Sequence, residues 1–136
     1  MDVIIYATGY RVAFPFFDEG FLNPSDNRLP LYRFVVPPEV PNLYFIGLLQ
    51  PLGAIMPLAE AQAEWVADLL DGKAGLPDPA TMQRDIEQTD RAMRKRYITS
   101  PRHTLQVDFY PYLRSIQRVR KKGRKNEPIQ ALAVNP

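Results

Sequence analysis

The sequence predicts an α/β unit, a few short strands followed by C-terminal helices, with a sheet that these strands leave incomplete. Three observations carry that expectation. Val3-Ile4-Ile5-Tyr6-Ala7 is a continuous apolar run, β-branched at its start, which suits a strand covered on both faces as in a parallel sheet. After Gly53 the apolar residues change to three- and four-residue spacing, the period of a helix. Most of the fourteen prolines fall in the first eighty residues, where they cut the chain into short pieces joined by irregular loops.

Taken in order, the strand over 3–7 is followed by two more, Leu31 to Val36 and Leu43 to Gly47, separated by the turn-rich Pro37-Pro38-Glu39-Val40-Pro41-Asn42. Three short strands do not close a sheet, and their edges need partners. A domain at its own natural start more often leads in with a polar segment, so the opening strand reads as one member of a sheet whose other members lie upstream. Leu58, Ala61, Trp65, Val66, Leu69 and Leu70 then predict an amphipathic helix over 57–71, with Gly72 where a C-terminal cap belongs. Asp78-Pro79 is an N-cap followed by a first-turn proline, opening a second helix lined by Met82, Ile86, Met93 and Tyr97. A third helix is expected over 108–122, with Leu113, Ile116 and Val119 inward and Gly123 as its stop.

Composition narrows the function classes. At 136 residues the chain matches one typical domain, and 46% hydrophobic residues with seven Tyr and seven Phe argue for packing rather than disorder. Zero cysteines exclude a disulfide framework and any thiolate site, which suits a reducing compartment, with the cytoplasm as the expected location. No stretch approaches the roughly 20 apolar residues that span a bilayer. Net charge is only +2, yet Arg114, Arg118, Arg120, Lys121, Lys122, Arg124 and Lys125 follow one another with no acid between them. Such a run is either a solvated helix end, favoured by the helix dipole, or an electrostatic footprint for nucleic acid or acidic lipid. His103 is the only histidine, so a metal role is disfavoured, and Trp65 lies on the apolar helix face where a core position is expected.

One stretch has the geometry of a site. Around Asn42 to Ala54 a strand ends at Gly47, a tight loop follows with a second glycine at Gly53, and a helix begins near Pro57. The unpaired amides and positive dipole end of such a helix favour an electron-rich group, a phosphate or the carbonyl edge of a flavin pyrimidine ring. Glycines let a ligand approach the backbone, although for a strand-loop-helix unit taken alone the better reading is that the two glycines only permit tight turns.

DVIIYATGY at 2–10, Phe14-Pro15-Phe16, NLYFIGLLQPLGAIMPLAEAQ at 42–62 and KRYITSPRHTLQVDF at 95–109 together resemble the C-terminal third of flavin-containing monooxygenases, in the same order over nearly residues 2 to 113. The resemblance implies an enzyme with two Rossmann-like dinucleotide-binding domains, one holding FAD and one admitting NADPH. Its reduced flavin reacts with O2 and passes one oxygen atom to a soft nitrogen or sulfur nucleophile, as in N,N-dimethylaniline monooxygenases. No catalytic side chain is expected here, because the flavin carries the chemistry. Residues 1–76 would be the C-terminal part of the FAD- and NADP-binding domains with the inter-domain linker strand, 77–122 a helical extension, and 123–136 a basic, flexible tail.

By the same resemblance Thr8 and Gly9 belong to the linker by which the chain leaves the NADPH domain, Gly9 permitting a close backbone passage and Thr8 offering a hydroxyl or simply capping a strand end. Gln50 would approach the flavin, with Gly47 admitting the ligand and Leu49, Pro51 and Leu52 shaping the wall. The chain departs from the family pattern in its glycines and in ending on QALAVNP, without the apolar tail of membrane-bound members. No two of its seven glycines are separated by a single residue, so neither G-x-G-x-x-G pyrophosphate loop is present. The isolated chain is therefore expected to hold neither cofactor well and to need an N-terminal portion, in cis or in trans. Two other functions stand beside this one: a small basic interaction module without catalysis, and a subunit completing a split flavoenzyme.

Overall fold

A computed structural model describes residues 3–6, 11–18, 20–22, 24, 28–96 and 104–123. The element order is β1 (Gln50–Pro51), α1 (Met56–Leu70), α2 (Pro79–Arg96), β2 (Gln106–Val107) and α3 (Phe109–Gly123). Few strands and three helices make up the regular structure among these residues. None of these helices is long and apolar enough to cross a membrane.

The helices lie within a residue or two of their expected bounds, because local signals define them. In α1 the backbone ends with Asp71 N–H donating to the Ala67 carbonyl and Gly72 N–H to that of Leu69, and Gly72 takes φ +68°. Asp78 caps α2: its carboxylate accepts from Thr81 N–H at 2.9 Å and from the Thr81 hydroxyl at 2.6 Å. Thr81's hydroxyl bond, ahead of its amide bond, holds the Asp78 carboxyl below its ordinary range. At the far end of α3, Gly123 packs directly on Gly75. A Cβ on Gly123 would lie 2.6 Å from the Gly75 oxygen, so only glycine lets the two backbones meet, and Gly75 N–H donates to the Gly123 carbonyl at 3.1 Å.

The expected strands are corrected. Val3 to Tyr6 carry no strand and are exposed, Ile5 to 87%, since no described segment lies beside them to complete a ladder. Leu31 to Val36 doubles back instead of extending. Val35 N–H donates to the Tyr32 carbonyl at 3.0 Å, Tyr32 and Val36 exchange bonds at 2.7 and 3.1 Å, and Arg33 and Phe34 both take left-handed backbone, φ +52° and +57°. Two non-glycine residues in that region cost roughly 1–2 kcal/mol each. The hairpin offsets this by burying Leu31, Tyr32, Val35 and Val36 at once, which an extended strand exposed on one edge cannot do. Leu43 to Gly47 likewise forms no strand. Its link to the hairpin is Phe45 N–H to the Val35 carbonyl at 2.8 Å, and the ladder moves three residues on, where Gln50 pairs in parallel with Gln106 and Pro51 with Val107.

One core unites these pieces. Leu58, Trp65 and Val66 of α1, Met82 of α2, Tyr112 and Ile116 of α3, and Tyr32, Val35 and Val36 of the hairpin pack together, with Leu49 and Val107 beside them. Trp65 meets Tyr32 edge to face at 6.0 Å, as a core residue should. Across the α1–α3 contact, Arg120 binds both Glu64 and Asp68. A second cluster gathers Phe14, Phe16, Phe17, Phe21 and Phe45, with ring centroids 4.7 to 5.9 Å apart.

Candidate functional site

The loop from Gly47 to Ile55 connects the hairpin side of the molecule to α1. Its two glycines are conformational requirements: Gly47 has φ +79° and Gly53 φ +121°, and space is open beside both, with no atom within 4 Å of where a Cβ would stand. Between them Leu49 is buried and its N–H returns to the Gly47 carbonyl at 2.9 Å, which pins the loop from below. Gln50 N–H donates to the Leu105 carbonyl at 2.7 Å, so the parallel β1–β2 pair fixes the next turn of chain. The Gln50 side chain is left exposed, Pro51 is half-buried, and Leu52 is 77% exposed.

Beyond Gly53 the chain enters α1 without a capping side chain. Ile55 occupies the cap position in helical backbone, makes no side-chain cap bond, and no acid lies in the first turn, where Pro57 stands. From Phe45 to Ala59 the sequence carries no charged side chain at all. The helix end therefore presents its positive dipole to an apolar, uncharged loop, a setting that favours the electron-rich edge of a largely apolar ligand.

Three residues that the sequence reading overlooked hold this loop in place. Gly47 N–H donates to Gln62 Oε1 at 2.8 Å, Gln62 Nε2 donates to the Tyr112 hydroxyl at 2.6 Å, and that hydroxyl donates to the Arg33 carbonyl at 2.7 Å. The relay joins the loop, α1, α3 and the strained hairpin, and Gln62 within it is fully buried. Burial raises the Tyr112 phenol above its ordinary 10.0, outweighing the opposing Gln62 bond and Arg33 charge, so it stays protonated and keeps donating. The signal for Gln62 was present: it stands four residues after Leu58 and three before Trp65, on the inward face of an otherwise apolar stripe. Nothing in the local sequence marks Tyr112 as its partner, 50 residues away, or the Arg33 carbonyl as the acceptor of the Tyr112 hydroxyl, 79 residues away.

Gly47, Leu49, Gln50, Pro51 and Leu52 thus share one loop at the head of α1. Thr8, Gly9 and His103 lie outside the described residues, as do Arg124, Lys125 and the rest of the tail.

Most of the chain is similar to known proteins. It is 43% identical over 118 residues to flavin-containing monooxygenase 5 of Rattus norvegicus, which takes in 85% of this chain and 22% of the relative. It is 38% identical over 115 residues, 83% of this chain and 22% of the relative, to dimethylaniline monooxygenase [N-oxide-forming] 2 of the same organism. The chain thus spans about a fifth of the length of these relatives. Among solved structures, S-allyl-L-cysteine S-oxygenase from Allium sativum superposes with a TM-score of 0.70 at 32% identity, covering 84% of this chain and 27% of that one. The family described as FMO-like, flavin-binding monooxygenase-like, matches residues 1–130, and this chain belongs to it.

Proposed function

We propose that this chain is the C-terminal part of an FAD- and NADPH-dependent monooxygenase that places one oxygen atom from O2 on a soft nitrogen or sulfur nucleophile. The observation that carries the reading is the loop 47–55: an uncharged, glycine-bounded segment anchored from within by Leu49 and Gln62, leading into a helix whose first amides have no side-chain cap. These residues fit a flavin. The uncapped end of α1 suits the pyrimidine carbonyl edge, and the exposed Gln50 amide, Pro51 and Leu52 offer one polar group and an apolar wall. The flavin, when bound, supplies the oxygen-transfer chemistry. The protein's part is to orient it and exclude water: Gln50 and the α1 amides hold its edge, Leu52 covers it, and the Gly47–Gln62–Tyr112–Arg33 relay keeps the loop from shifting. Nucleophiles of both kinds are named among the relatives, in a dimethylaniline monooxygenase [N-oxide-forming] and an S-allyl-L-cysteine S-oxygenase.

In this reading residues 1–76 complete two Rossmann-like nucleotide domains, with Thr8 and Gly9 in the linker between them, 77–122 form a helical extension, and 123–136 a flexible basic tail. The pyrophosphates of FAD and NADPH are held by glycine loops that this chain does not carry. The missing N-terminal portion acts in cis or in trans, and the assembled enzyme works in the cytoplasm.

The test joins this chain to the N-terminal nucleotide-binding segment of a relative. The chain alone should purify colourless and oxidise no NADPH, whereas the joined protein should retain FAD through gel filtration and oxygenate a tertiary amine or a thioether. Stoichiometric FAD on the chain alone, or a folded joined protein that takes up none, refutes the proposal.

A further inference from the structure

The basic run of α3 is divided by the fold into groups with different work. Arg120 turns to α1 and binds Glu64 and Asp68. Arg118 and Lys122, four residues apart and so on one helix face, line a cleft of about 270 Å³ between α1, α3, the start of α2 and the hairpin. Neither meets a carboxylate among the described residues, and both are exposed. Arg33 lines the same cleft with its Nη2 on Asp85 at 2.6 Å. Three cations face one acid there, leaving two positive charges in excess.

A second observation is independent of charge. Among the described residues two buried side-chain nitrogens have no hydrogen-bond acceptor, Arg33 Nε and Trp65 Nε1. Both belong to residues lining this cleft, and Trp65 is 1% exposed. A buried N–H without an acceptor is destabilising, and an acceptor reaching it from the cleft would relieve that. The helix dipole accounts for cations in the last turns of α3, but it does not account for orphaned donors beside them.

We propose that this cleft, to whose wall the loop at the head of α1 contributes no residue, binds a small phosphate monoester. Its dianionic charge equals the excess of the wall, its oxygens accept from guanidinium and indole N–H groups, and the volume suits a phosphate carrying a small organic group. Arg118 and Lys122 draw the anion in, Arg33 orients it, and Asp85 holds Arg33 in place.

Trp65 is the only tryptophan, so its emission reports on the cleft directly. The full chain is titrated with inorganic phosphate and with glycerol phosphate at constant ionic strength against sodium chloride, and calorimetry repeats the measurement. A saturable signal is expected, weakened by about tenfold or more in the Arg118→Ala, Lys122→Ala double variant. Arg114→Ala with Lys121→Ala removes the same charge from exposed sites of the same helix outside the cleft and should leave binding unchanged. Absence of saturable binding by both methods overturns the proposal. So does an equal loss in the two double variants, which would mean net charge alone, and so does equal affinity for malonate, a dianion without the tetrahedral arrangement of oxygens.

Discussion

The two halves of this molecule solve the burial problem differently. From Leu58 to Gly123 the helices bury their apolar stripes against one another, and Leu58, Trp65 and Ile116 are almost wholly out of water. From Val3 to Phe21 residues just as apolar stay outside: Val3, Ile4, Ile5, Tyr6 and Phe16 are all more than half exposed. A helix satisfies its backbone within its own segment and needs only one neighbour for its stripe. A strand needs another strand for its hydrogen bonds and a layer for each face, so its structure depends on segments elsewhere. Equal hydrophobicity therefore gives a buried core in one half and exposed apolar surface in the other.

The sharpest way to break that contrast is to truncate one residue from each half. Ile116→Ala opens a cavity in the core and should cost about 2–5 kcal/mol in denaturant unfolding. Ile5→Ala removes a side chain already in water and should change stability by less than about 0.5 kcal/mol in the chain alone. In a protein joined to its nucleotide-binding segment the Ile5 variant should become costly, and if it stays neutral there, Val3 to Tyr6 are not a sheet strand awaiting partners.

The polar relay that ties the loop and the hairpin to the helices comes next in size. Gln62→Leu leaves the Gly47 N–H without its acceptor and the Tyr112 hydroxyl without its donor in a dry site, an expected loss of about 1–3 kcal/mol. Hydrogen exchange at the Gly47 amide should quicken by more than global destabilisation explains. In the joined enzyme the same variant should retain FAD less well and release more hydrogen peroxide per product formed, while Gln50→Leu should do so with little change in stability. Normal coupling and FAD retention in both variants would detach the loop from the flavin.

The pH response separates the halves of the helical region further. Burial raises the Tyr112 phenol above 10.0, so the folded state holds that proton more tightly than the unfolded one. Its contribution is complete below pH 10.0 and is lost as pH rises beyond it, and Tyr112→Phe should flatten the alkaline limb of the stability curve. Tyr32, also raised by burial, adds to the same limb. Asp78 runs the other way: its lowered carboxyl supports the start of α2 at neutral pH, and that support is lost as pH falls below 3.8. Asp78→Asn should keep most of the cap and lose the acid sensitivity, read as helix content against pH.

The smallest effect belongs to the exposed face of α2. Arg94 and Asp90 pair at 2.7 Å four residues apart in water, and Asp90→Ala should cost no more than about 0.5 kcal/mol, fading with salt.

What was legible in the sequence follows from this physics. The periodicity of Leu58, Trp65, Val66 and Leu69, the Asp78-Pro79 start and the inward set Leu113, Ile116 and Val119 placed three helices, because spacing, caps and turns act within a few residues. The loop bounded by Gly47 and Gly53 was visible for the same reason, whereas Leu49, Gln50, Pro51 and Leu52 were singled out by the family resemblance. Only the tertiary structure decided that Leu31 to Val36 turns back through left-handed Arg33 and Phe34, that the parallel pair forms at Gln50–Pro51 rather than at Leu43 to Gly47, and that Gln62 reaches Tyr112. Each of those outcomes is a trade between local backbone cost and burial or hydrogen bonding supplied from fifty or more residues away, and a local pattern carries no information about a partner that distant.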